Sequence, residues 1–164
     1  VNIALKDLTA SLAADRLELY AGERRLVQGN WHKDGGAEGR DLACLLGSFH
    51  ADINSASRCP AQVMPEWCAH LVVTLFDGIP AANIYDTSKR FAAALRKTEG
   101  FTAEQWHKAR RKFLHTTVSN ALEAARKVSD KLDERGKAAW EKVQAACGTV
   151  LLQLSQDQDP DNAA

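Results

Sequence analysis

Apolar residues recur every third or fourth place along most of the chain, the spacing that turns one side of an α-helix toward a core. Leu5, Leu8, Leu12 and Leu19 step by 3, 4 and 7 and predict a helix near residues 4–21, with Leu17 and Tyr20 beside the stripe. The stretch "GNWHKDGGAEGRD" that follows holds four glycines within residues 29–39 and is expected to be loop, since glycine disfavours helix and strand alike. Asp41 is placed to cap a helix over "LACLLGSF", with Leu42, Leu45, Leu46 and Phe49 on its apolar side. "HADINSASRCPAQVM" reads as a second irregular stretch, and Pro65 suits the first turn of the next helix, "PEWCAHLVVTLF". Gly78 and Pro80 end it.

The C-terminal half is more regular. Asp86 or Thr87 is placed to cap a helix carrying Phe91, Ala94 and Leu95, closed at Gly100. Thr102 and Gln105 have the form of a capping box beside Phe101. Leu114, Val118, Ala121, Ala125, Val128 and Leu132 then step by 4, 3, 4, 3, 4 and predict a long helix over 103–128. Around "SDKLDERG" the chain turns or kinks. Trp140, Val143, Cys147, Val150 and Leu154 predict the last helix, and "SQDQDPDNAA" is expected to be a disordered acidic tail over 155–164. The expected architecture is all-α: a single-domain bundle of five to six helices over 1–154, with irregular loops at about 29–40 and 50–64. The two longest helices pack antiparallel at the C-terminal end.

Charge changes this picture only locally. Lys plus Arg and Asp plus Glu number 21 each, so no net field draws the chain toward nucleic acid or membrane. The zero hides unlike parts. Residues 1–88 carry 7 basic and 11 acidic residues, whereas 89–112 carry 8 basic and 2 acidic, a net of +6. On a helix, His107, Lys108, Arg111, Lys112 and His115 share one side, and Trp106, Ala109 and Phe113 share the other. The simplest reading is a solvated face over buried aromatics. The functional one makes Arg96, Lys97, Lys108, Arg111 and Lys112 contacts for an acidic partner.

The candidate chemistry is thin. Cys44, His50, Asp52, Cys59, Cys68 and His70 lie within 27 residues, but they lack C-x-x-C or H-E-x-x-H spacing, and no metal or other cofactor is expected. The glycine loop matches neither GxxxxGK[ST] nor GxGxxG, which sets phosphate binding aside. A thiol enzyme would use Cys59, with His50 or His32 as base; a ligand pocket would form where the loops meet, near Trp31, His50, Cys59 and Trp67. The longest apolar runs are a few residues, too short to span a bilayer, and the N-terminal "VNIALKDLTASL" lacks the form of a secretory signal. Reduced thiols in a cytoplasmic protein are therefore expected.

Residues 44–80, with CLLG, a CP…MP-x-W segment and LFDG, resemble a family of small proteins encoded by GC-rich bacteria and their phages. The resemblance implies a bacterial or mobile-element origin and a cytosolic setting, and no chemistry. The leading expectation is a non-catalytic protein that binds another protein through the basic helix face around 89–112, with a homodimer through the C-terminal helices as a further expectation. A nucleic-acid binder using the same face and a small enzyme or ligand binder at the loop corner stand as alternatives.

Overall fold

The computed structural model describes residues 3–35 and 39–156. The fold is all-α: five helices, α1 (Ala10–Gly22), α2 (Glu66–Gly78), α3 (Ile84–Arg96), α4 (Ala103–Ser129) and α5 (Glu134–Gln156). The described strands are two residues each, β1 (His32–Lys33) and β2 (Leu42–Ala43), antiparallel with His32 opposite Ala43. Where one body through residue 154 was expected, the chain divides into two compact units, Val1–Phe101 and Thr102–Ala164.

In the first unit α1 packs on α3. The buried stripe of α1 is Ala10, Ala13, Ala14, Leu17 and Ala21, not the predicted Leu5, Leu8, Leu12 and Leu19. Leu8 is buried ahead of the helix, while Leu12 and Leu19 lie on the exposed side. Alanine wins here because its small side chain lets α3 come close, and α3 answers with Ile84, Ser88, Ala92 and Leu95. Thr9 caps α1 through its side chain, accepting from the Leu12 amide at 3.3 Å. Polar contacts fasten the pair. Arg96 on α3 forks onto Glu18, at 2.8 and 3.0 Å, and onto Asp15 of α1. That hydrogen bond first, and the charge second, hold the Glu18 carboxyl below its ordinary range. Glu99 accepts from the Ser11 amide at 2.6 Å in the first turn of α1, where a negative charge is favoured, and its own pKa falls for that reason.

The helix predicted over 42–49 is absent. Leu42 and Ala43 pair with β1, and residues 45–49 follow as successive turns. Gly47 shows why. A Cβ there would overlap the Trp31 carbonyl oxygen, so the chain needs glycine to press against the neighbouring strand. Cys44, Leu45, Leu46, Ser48 and Phe49 are all buried, on every side of the segment, and so cannot be one face of an amphipathic helix. The core continues through Ile53, Val63 and Met64 into α2, which contributes Ala69, Val72 and Phe76 at helical spacing. Pro65 is the residue before that helix rather than in its first turn. Gln28 closes the other end, its side-chain amide donating to the carbonyls of Phe76 and Ile79, each at 2.7 Å.

The second unit is α4 packed on α5, two helices of 27 and 23 residues joined by residues 130–133. A link that short turns the chain back on itself, so the helices run antiparallel. The predicted capping box is present: the Gln105 amide donates to Thr102 Oγ1 at 3.2 Å, and the Thr102 amide to Gln105 Oε1 at 2.8 Å. Asp133 caps α5 by accepting from the Gly136 amide at 2.7 Å, which settles the "SDKLDERG" stretch as a turn. Helix α5 runs through Gln156, beyond the boundary of 154 expected for the folded part. The tail that follows lies outside the described residues.

Candidate functional site

The loop corner was expected to gather Trp31, His50, Cys59 and Trp67. Trp31 and Trp67 are half-buried, and the Trp31 carbonyl accepts from the Cys44 amide at 3.2 Å. His50 is buried and has work at both nitrogens. Nε2 donates to the Ile3 carbonyl at 2.9 Å and Nδ1 accepts from the Asp52 amide at 3.0 Å. That is a clamp between two loops, and it leaves neither nitrogen to act as a base. Cys59 is likewise buried, and desolvation pushes its thiol up to about 12. Cys68 is pushed up to about 11 for the same reason, and Cys44 is also raised. A nucleophilic thiol needs the opposite shift. All four cysteines are free.

Two clefts open nearby. One, of about 680 Å³, is bordered by Arg16, Tyr20, His32, Asp34, Asp41 and Ser48, neighbours of the expected four rather than the four themselves. Two of its side chains are tied to the chain: Arg16 donates to the Phe49 carbonyl at 2.8 Å, and His32 Nε2 lies 3.0 Å from the Ile53 carbonyl. The other, about 710 Å³, takes in Cys59 with Lys6, Arg58, Gln62 and Glu66. Among the described residues no three His, Cys, Asp or Glu side chains converge as metal ligands would.

The basic residues fall in both units. Arg96 is committed to Asp15 and Glu18, so the fold itself uses one expected partner contact. Lys97 caps the end of α3, exposed. Lys108 and Lys112 are exposed one turn apart on α4, and no ion pair among the described residues engages them. Arg111 differs from both: it is half-buried, and its Nε is buried without a hydrogen bond.

The reason is the register of the hairpin. A stripe of half-buried positions on α4 runs Arg111, His115, Val118, Leu122, Ala125 and Ser129, spaced 4, 3, 4, 3, 4, with Trp106, Ala109 and Ser119 also half-buried. They answer Gly136, Trp140, Cys147, Leu151 and Leu154 of α5. The predicted stripe was built partly from a second seam, one residue earlier: Leu114, Ala121, Ala124 and Val128 on α4 are all exposed, as are Ala139, Val143, Ala146 and Val150 on α5. Phe113, expected inside, is also exposed. Because the helices run oppositely, a step of one residue back on each leads to the same side of the hairpin. That side is an apolar face. The two interleaved heptads are visible in the sequence; which of them is internal is not.

No protein-family model, curated protein or solved structure matches the chain. Among the described residues no single helix is long and apolar enough to cross a membrane.

Proposed function

We propose that the protein acts by holding another protein, without catalysis, and that the exposed cations of α4 are its contact with an acidic partner. The observation that carries this is the pair Lys108 and Lys112, exposed like charges at i and i+4 that no ion pair among the described residues engages. Such a pair destabilises a helix by repulsion, and an acidic surface laid against it removes the penalty. Arg96 has no part in this reading, since α1 already neutralises it. The buried His50 and the high thiol pKa of Cys59 support a structural role for the loop corner.

The test is retention of proteins from nuclease-treated lysate of the source organism on the immobilised chain, compared with Lys108→Glu/Lys112→Glu. Saturable retention of one protein that the double variant loses is the expected result. Equal retention by the variant overturns the reading. So does binding that survives only with nucleic acid present and falls steeply with salt, which would make nucleic acid the partner.

A further inference from the structure

We infer that the acidic segment after α5 is a tethered competitor for the cations of α4: the carboxylates of Asp157, Asp159 and Asp161 cover Lys108 and Lys112 until an acidic partner displaces them. The inference rests on the reading above, since segment and partner would share one surface, and it adds how that surface is regulated. Hairpin geometry brings the two together. Counted from the connector, Lys108 lies 21 residues before the end of α4, and Gln156 lies 22 residues after the start of α5. At ~1.5 Å per residue on antiparallel helices these positions are level, on axes about 8–10 Å apart. The backbone therefore leaves α5 beside Lys108, and a few further residues at ~3.3 Å each suffice to reach Lys112.

Charge selects the occupant. At this end α4 carries Lys108, Arg110, Arg111 and Lys112 against Glu104, with no further acidic or basic residue except His115 before Glu123. Glu104, one turn ahead of Lys108, enters no ion pair among the described residues. Helix α5 offers no carboxylate here, because Val143 to Gln156 holds no charged residue. The three aspartates that follow match the excess of cations, and they come at every second position. Alternate residues of an extended chain fall on one side about 7 Å apart, close to the ~6 Å along the axis between Lys108 and Lys112. The connector end has no such imbalance, since Asp130, Asp133 and Glu134 stand among Lys131, Arg135 and Lys137. Exposed ion pairs are weak singly, but a tether this short sets a local concentration of about millimolar, enough to hold off a dilute competitor.

The experiment has two arms, both on the full chain. In the first, amide resonances are compared between the native protein and Lys108→Gln/Lys112→Gln, in about 20 mM and about 500 mM salt. The amides of Asp157, Asp159 and Asp161 should differ between the two proteins at low salt and coincide at high salt. Amides that coincide at low salt overturn the inference. In the second arm the probe is a fluorescent peptide of ten glutamates, read by anisotropy. Asp157→Asn/Asp159→Asn/Asp161→Asn should bind it about threefold to tenfold more tightly than the native chain. The same triple substitution in the Lys108→Gln/Lys112→Gln background should change binding little. An equal gain in both backgrounds would mean that the aspartates act on net charge at long range, and it overturns the covering contact; no gain in the native background overturns it as well. Neither arm reads retention of a protein from lysate. If both arms succeed while the native chain and the triple variant retain nothing, the acidic-partner reading fails and the contact within the chain stands.

Discussion

At the scale of residues, burial decides what each reactive group can do. Cys59 stands next to Pro60 in a stretch rich in turns, and in the sequence it is the thiol a nucleophilic enzyme would use. Packing withdrew it from water and raised its pKa from the ordinary 9.0 to about 12. Two consequences follow from the sign. Near pH 7.5 the native thiol should alkylate far more slowly than in urea, measured by mass spectrometry of the Cys59 peptide. Because the folded state keeps a proton that the unfolded state releases, stability contributed by this group is intact below about pH 9 and drains away as pH climbs toward 12. Alkylation of Cys59 in the native protein at the rate seen in urea would remove the argument. Glu18 and Glu99 act in the opposite sense, since their lowered values make the α1–α3 contact weaken in acid, as pH falls through their folded values.

At the scale of elements, local signals fared unevenly: α3 starts at Ile84, so Asp86 and Thr87, expected to cap it, lie inside its first turns. The Thr102–Gln105 box depends on four consecutive residues and was legible from them. Thr102→Ala should cost about 1 kcal/mol, read by urea titration of the helical signal, and should speed hydrogen exchange at the Gln105 amide. A stability unchanged within 0.3 kcal/mol, as an order-of-magnitude threshold, would mean that the first turn of α4 is held by something else. The segment 42–49 failed for the converse reason. Its apolar residues suit a helix, but Leu42 and Ala43 are claimed by a strand partner about ten residues away, and Gly47 by the Trp31 backbone. Both demands come from residues outside any local window. In α1 the leucines advertised a stripe, and the alanines won it because only they admit α3 at close range.

At the scale of the whole molecule, two compact units share one chain. Leu17 is fully buried in the first, so Leu17→Ala should cost about 3 kcal/mol there through lost contact and a residual cavity. Hydrogen exchange should then quicken for the amides of α1 to α3 while those of α4 and α5 keep their protection. Loss of protection through both units together would show that they unfold as one. The hairpin has its own economy: no residue of α4 is fully buried, so its helices depend on capping, on one half-buried seam and on whatever covers the other.

The sequence by itself determined that the chain is helical, where α4 starts and that a basic segment precedes a long amphipathic one, because helix periodicity, capping and charge are properties of neighbours within a few residues. Only the tertiary structure decided which of two interleaved heptads faces inward, that Arg96 is taken by α1, that His50 is a clamp, and that residues 42–49 are turns. Each of those outcomes is a competition between surfaces far apart in sequence, won by whichever contact excludes more water and leaves fewer polar groups unpaired.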